Sequence, residues 1–259
     1  MGVFRREMDR RYWDGMAKKY EAEIFSVLHS DAKGRIARHL RRIASKARSV
    51  ADIGCGIGHF LPTLAKHFGR VYANDISQEL LDRAKERYGR LSNVTYLHGD
   101  IRSAFKKLPK VDCVVSVNSL ISSAVGVRRR MLEAIAKILK PDGRLVLVVP
   151  SLESSLFVDV RFAQWKWHDG MQSARAVRSV YPRDAQADNK ARQGILPIDG
   201  VATKHYLEDE LRLLLSEVRL KTIAVEKIEY GWDTEFEKPP RWMKAPYPWD
   251  WLVVARKEK

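Results

Sequence analysis

The sequence predicts an α/β protein built on a doubly wound, seven-stranded, mostly parallel sheet that an antiparallel C-terminal hairpin closes. Three observations carry this. Short apolar runs alternate with amphipathic helical patterns from residue 49 to 149. A glycine-rich turn follows the first of those runs. Two further strand patterns, 221 to 230 and 251 to 256, follow each other with no helical pattern between them. Strand–helix alternation produces right-handed crossovers and parallel pairing, whereas consecutive strands pair as a hairpin.

The elements follow in order. Residues 34 to 47 repeat Ile36, Leu40, Ile43 and Ala47 at helical spacing, with arginines between them. Ser49 to Ile53 is a strand, Phe60 to Phe68 a helix with Pro62 tolerated near its start, and Arg70 to Asp75 a second strand. Ser77 is a natural N-cap for a helix from Gln78 to Tyr88. Val94 to His98 and Val111 to Val117 are strands three and four; the latter is almost wholly apolar, as burial on both faces requires. A helix from Val127 to Leu139, a Pro141-Asp142-Gly143 turn and a strand from Arg144 to Val149 complete the alternation. Leu207 to Val218 is a helix.

Composition bounds the function. With 259 residues and a 45% hydrophobic fraction the chain can bury one large core. Lys and Arg total 47 against 32 Asp and Glu, a net charge of +15. Such a field attracts nucleic acid, acidic lipid or acidic small molecules, or serves solubility alone. Cys55 and Cys113 are isolated thiols, which suits a reducing cytoplasm and neither a disulfide framework nor a metal site. His59, His168 and His205 lack metal-ligand spacing. No apolar run is long enough to span a bilayer, the first residues lack a signal-peptide core, and Arg6 stands where a myristoylation signal needs Ser or Thr. A cytoplasmic protein without a membrane span is expected, its oligomeric state open.

Ligands of open parallel sheets bind beyond the carboxyl ends of the strands. At the first such end stands Asp52-Ile53-Gly54-Cys55-Gly56-Ile57-Gly58-His59. Three glycines at alternate positions let the backbone lie against a ligand. A dinucleotide fingerprint would place its third Gly where His59 stands. Asp75 ends the second strand about twenty residues on, where a carboxylate accepts ribose hydroxyls. Gly99-Asp100-Ile101 follows the third strand, and Asn118 the fourth.

The run Asp-Ile-Gly-Cys-Gly-Ile-Gly resembles motif I of the class I S-adenosylmethionine-dependent methyltransferases, a Rossmann-like family, in its small-molecule branch. The resemblance covers roughly 12 to 150 and 203 to 256. It implies that the loop Gly54, Cys55, Gly56, Gly58 packs on the methionine part of S-adenosylmethionine and that Asp52 orients its amino group. It implies that Asp100 accepts from the adenine amine, that Ile101 and Ile76 cover the ring, and that Asn118 contacts the methionine through its backbone carbonyl or amide. The run Asn118-Ser119-Leu120-Ile121 departs from the Asn-or-Asp-Pro-Pro-aromatic motif of amino-methylating nucleic-acid enzymes. Tyr12, Trp13 and Tyr20 resemble the leading aromatics that close over the cofactor; they serve equally well as a hydrophobic staple.

The expected organisation is a helical segment, 1–48, covering the cofactor site; a methyltransferase core, 49–150 and 203–259; and an inserted substrate cap, 151–202. The cap mixes Trp165, Lys166, Trp167 and His168 with Arg175, Arg178, Tyr181 and Arg183, which suits an acidic or aromatic acceptor unless the tryptophans pack the cap onto the sheet. His205 and Tyr206, just before the helix at 207, are candidate general bases. Methyl transfer to a small molecule is the leading function. RNA or protein methylation through the basic surface and Arg128-Arg129-Arg130 is the alternative, and a non-catalytic cofactor-binding protein on the same fold a third.

Overall fold

A computed structural model of the chain describes residues 8–17, 27–180 and 185–259. Tyr20, Tyr181 and Arg183, named above, lie outside the described residues, as does the side chain of Arg178. The sheet comprises β1 (Ser49–Ile53), β2 (Arg70–Asp75), β3 (Val94–His98), β4 (Val111–Val117), β5 (Leu139–Pro150), β8 (Leu220–Glu229) and β9 (Trp249–Lys257), in the order β3-β2-β1-β4-β5-β9-β8. Pairings from β3 through β5 are parallel; β9 runs antiparallel between β5 and β8. A separate hairpin pairs β6 (Ile195–Ile198) with β7 (Val201–Lys204). The expected cap boundary at 202 therefore falls inside β7.

Double winding is visible in the alternation along β5. Leu145, Leu147 and Val149 face one core, shared with α5 (Val125–Ile138) through Leu132 and Ile135 and with α9 (Glu208–Glu217) through Leu211 and Leu215. Val146 and Val148 face the opposite core, shared with Ile36 and Leu40 of α2 (Arg35–Ile43) and with Leu61 and Leu64 of α3 (Leu61–His67). Period-two alternation under helices on both faces makes the central strands continuously apolar. Between β2 and β3, α4 (Gln78–Tyr88) starts at Ser77, whose hydroxyl accepts from the Leu80 amide at 3.2 Å. Glu79 in its first turn and Lys85 and Arg87 in its last match the helix dipole.

The N-terminal α1 (Arg10–Met16) lies over this end of α4. Asp14 Oδ1 accepts from the Ser77 hydroxyl at 2.6 Å, and Trp13 packs against Ala17, Ile57 and Leu80. After β5 the chain enters α6 (Leu152–His168), α7 (Ser173–Val180) and α8 (Ala185–Arg192) before the small hairpin. No helix among the described residues is long and apolar enough to cross a membrane.

Candidate active site

All carboxyl ends of the parallel strands open into one cleft of about 1770 Å³. The first wall is the glycine loop. The amides of Gly54 and Cys55 both donate to the Asn74 carbonyl, at 2.8 and 3.0 Å, which folds the chain back sharply as β1 ends. Gly54 has φ of +72°, and a Cβ there would lie 2.4 Å from the Cβ of Ser119. Only glycine combines that backbone with that approach. Gly54 and Cys55 line the cleft, whereas Gly56 and Gly58 shape the loop behind it. The Gly56 amide donates to Asp75 Oδ2 at 2.8 Å.

Four carboxyl groups or amides stand at successive strand ends. Asp52 is buried, lines the cleft, and has one carboxyl oxygen with no hydrogen-bond partner. Burial, then the charge of Asp75, pushes its carboxyl up to about 7. Asp75 accepts from the Gly56 and Ser77 amides, one on each oxygen; burial nevertheless raises its pKa. Asp100 caps a helical turn, Ile101–Ala104, by accepting from the Arg102 amide at 2.9 Å, and both its oxygens also accept from the Arg102 guanidinium. Burial opposes its ionisation, but those bonds hold its carboxyl below the usual range. Asn118 has a left-handed backbone, φ +49°, and its amide donates to the Val148 carbonyl at 2.9 Å. Of the two backbone groups expected to meet a ligand there, the amide is thus occupied and the carbonyl is left. Ile76, Ile101 and Tyr12 also line the cleft.

The two candidate bases separate. His205 lines the cleft, and its Nδ1 faces the Thr203 carbonyl at 3.2 Å, so Nδ1–H donates and Nε2 is the acceptor. Burial pushes its pKa down to about 4, leaving the ring neutral near pH 7. Tyr206 does not fit the role expected of it. It is fully buried away from the cleft, it pairs across to Ser151, and its hydroxyl donates to the Leu120 carbonyl at 2.6 Å. Burial raises its pKa well above the ordinary phenol value. Its ring is a wedge between β4's exit and α9, and its polar tip is satisfied internally.

The aromatic-basic run of the insertion also lies elsewhere. Trp165 packs on Phe162 and Phe236, His168 stacks 4.6 Å from Trp242, and Arg161 lies over Trp232 and Trp242. These contacts fasten α6 to the 231–250 loop, and neither residues 165–168 nor Arg175 line the cleft. Arg128 donates to the carbonyls of Ser122 and Ser123 and so buttresses a loop. Groups that the sequence reading did not single out complete the lining: Ser151, Ser154, Thr203, Tyr230, Glu235 and Asp250. The one available signal was a lone acid, Asp250, between two tryptophans at the start of an apolar strand.

This fold places a string of polar strand-end groups along one cleft of an α/β domain. Residues 50–143 match the family model described as a methyltransferase domain. A ubiquinone biosynthesis O-methyltransferase of Coxiella burnetii is 32% identical over 106 residues, 40% of this chain and 44% of that protein. A dTDP-3-amino-3,4,6-trideoxy-alpha-D-glucopyranose N,N-dimethyltransferase of Streptomyces venezuelae is 28% identical over 229 residues, 85% of this chain and 88% of that protein. The chain spans less than half the length of the first curated relatives it matches. Among solved structures, magnesium protoporphyrin IX methyltransferase from Synechocystis with bound S-adenosylhomocysteine superposes with a TM-score of 0.62 at 15% identity, over 96% of this chain and 98% of that one. Over residues 50–143 the chain is thus similar to methyltransferase domains, and its whole fold is that of the methyltransferase with bound S-adenosylhomocysteine.

Proposed function

We propose that this chain transfers a methyl group from S-adenosylmethionine to a small-molecule acceptor. One observation supports this most: Asp52, Asp75 and Asp100, at three successive strand ends, line the same cleft as the glycine loop, and Asp52 there carries an orphaned buried oxygen. A buried carboxylate without partners is costly unless a ligand supplies donors. The ammonium group of a methionine moiety is such a ligand. When bound, S-adenosylmethionine supplies a sulfonium-activated methyl that a nucleophile takes by in-line displacement.

The protein's part is placement and exclusion of water. Asp52 holds the amino group, Asp75 the ribose hydroxyls, and Asp100 the adenine amine, with Ile76 and Ile101 against the ring. The Asn118 carbonyl, left over once its amide bonds to Val148, is the group to meet the methionine end. Tyr12 and Trp13 of α1 cover the cofactor side. On the acceptor side the insertion forms a cap: Ser154, Ser155 and Val158 of α6 and residues 196–201 of the small hairpin line the cleft. His205 stands at that wall as an unprotonated acceptor.

Two relatives are named for small molecules: one is an O-methyltransferase of ubiquinone biosynthesis, the other an N,N-dimethyltransferase of a dTDP-linked amino sugar. The wide, deep cleft suits the same size of substrate. The test is calorimetric titration with S-adenosylmethionine, followed by release of S-adenosylhomocysteine in a screen of small-molecule acceptors. Micromolar cofactor binding with turnover on at least one acceptor is the expected result. Absence of cofactor binding refutes the proposal, and turnover confined to RNA or protein refutes the small-molecule part of it.

A further inference from the structure

The cleft reverses the sign of the molecule. The chain carries +15, yet among the described residues the only Lys or Arg side chains lining the cleft are Arg10 and Arg102, and both belong to the cofactor side. Past the end of β4 the polar wall includes Asn118, Thr203, Tyr230, Glu235, Asp250 and His205, whose imidazole is neutral near pH 7. Among the described residues an acidic acceptor would find no Lys or Arg there.

Backbone pairing fixes Asp250 in place. It lies opposite Pro150, the last residue of β5, and opposite Ile228 near the end of β8. It is only 5% exposed. The Asn118 side-chain amide donates to it, which leaves Asn118 Oδ1 buried and without a hydrogen-bond partner. Beside it, at the end of the neighbouring β8, the Tyr230 hydroxyl bonds to Ser154 and donates to Glu235, whose ionisation the nearby Asp159 also opposes. Two carboxyls and an orphaned amide oxygen therefore converge on space contiguous with the glycine loop. A buried array of acceptors with no cation complements a ligand group that offers several N–H donors and positive charge. We infer that the methyl acceptor is an amine, held as an ammonium by Asp250, Glu235 and Asn118 Oδ1.

The electrostatics agree with that geometry. Burial pushes the Asp250 carboxyl up to about 7 and raises Glu235 as well, as expected for carboxyls missing a counter-ion. Transfer balances simply. The ammonium gives one proton to Asp250; the freed nitrogen lone pair forms the N–CH3 bond; the CH3–S bond breaks with its electron pair left on sulfur. The sulfonium's positive charge passes to the product ammonium.

This inference rests on the methyltransferase reading, and the experiment separates the two. Protein loaded with S-adenosylhomocysteine is titrated calorimetrically with isosteric pairs: benzylamine and benzyl alcohol, cyclohexylamine and cyclohexanol, glucosamine and glucose, with cyclohexanecarboxylate as the acidic arm. In at least one pair the amine is expected to bind about ten- to a hundredfold more tightly than its alcohol, the range for hydrogen bonds to charged partners. Asp250→Asn and, as an independent loop variant, Glu235→Gln are expected to lose that preference while S-adenosylhomocysteine affinity changes less than about twofold, which also reports folding. Equal binding of alcohols, preference for the carboxylate, no amine binding, or an amine preference that survives both variants overturns the inference and leaves the methyltransferase reading standing. Failure of S-adenosylhomocysteine to bind overturns both.

Discussion

If Asp52 holds the ammonium group as proposed, its protonation sets cofactor affinity. Its carboxyl, raised to about 7 by burial and by the charge of Asp75, is largely protonated at mildly acidic pH. A ligand ammonium requires the ionised form, so binding expels a proton. Affinity for S-adenosylmethionine is therefore expected to fall about tenfold from pH 8 to pH 6, the response of one group titrating near 7. Calorimetry across that range measures it. Asp52→Asn removes the site's charge and should bind weakly with a flat profile; a variant that keeps the wild-type slope assigns the titration to another group. Tyr206 supplies the contrasting case. Tyr206→Phe strips the donor from the Leu120 carbonyl, a buried bond of 2.6 Å, and should cost about 1–2 kcal/mol of stability. Because the ring does not line the cleft, cofactor affinity should be unaltered. A stable Tyr206→Phe protein with damaged cofactor binding would return Tyr206 to the site.

At the scale of elements, the turn after β1 is the part on which the site depends most. Gly54→Ala combines a left-handed backbone with a Cβ 2.4 Å from that of Ser119, which follows β4. Gly170 has φ of +90° with open space around it, so Gly170→Ala carries backbone strain alone, about 1–2 kcal/mol. Denaturant titration should show a larger loss for Gly54→Ala, and calorimetry should show its cofactor binding abolished while Gly170→Ala binds normally. Equal losses would mean that the strand-to-strand approach contributes nothing. The same elements show what a sequence can reveal. The bounds of β1 to β4 and of α4 were legible because apolar runs, a Ser N-cap and glycine turns act locally. The strand β5 begins earlier than expected, at Leu139: Asp142 takes a left-handed φ of +60° and the register against β4 shifts between Val111 and Cys113, so the turn residues are absorbed into the pairing. The hairpin of β6 and β7 escaped notice because Pro197 and the Asp199-Gly200 turn break the strand pattern. The cleft-lining Asp52, Asp75, Asp100 and Asn118 were legible because each stands at or beside a strand end. Asp250, Glu235 and Tyr230 were not, since only the three-dimensional return of β8 and β9 brings them to the end of β4.

The whole molecule combines opposed titrations. Asp52 and Asp250 are both raised to about 7, chiefly by burial. Asp75 and Glu235 are raised as well, and the half-exposed Asp159 reaches about 6. A carboxyl with a raised folded pKa binds its proton more tightly when folded. Its contribution to stability is complete below the ordinary carboxyl pKa and is lost as pH rises through its raised value, about 7 for Asp52 and Asp250 and about 6 for Asp159. His205 acts in reverse: with its folded pKa pushed down to about 4, stability rises between there and the ordinary histidine value. Asp100, Asp112, Glu226 and Glu229 are held low by their basic or amide partners after opposing burial, and their stabilisation disappears only as pH falls below about 4. Between about pH 5 and pH 8 the raised carboxyls outnumber the single imidazole. The melting temperature of the free protein is therefore expected to fall across that interval. Four of these carboxyls, Asp52, Asp75, Glu235 and Asp250, line the cleft, so a ligand that neutralises them opposes the trend. Saturating S-adenosylmethionine, present at about a hundred times its Kd, should stabilise by about 2.7 kcal/mol at the pH where that Kd is measured. At one fixed concentration its stabilisation should be larger at pH 8 than at pH 6, because Asp52 is then already ionised. Thermal melts of free and cofactor-loaded protein across this range give both slopes. A free protein whose melting temperature rises from pH 5 to pH 8, or a cofactor increment independent of pH, would show that Asp52 and Asp250 do not titrate as their burial dictates.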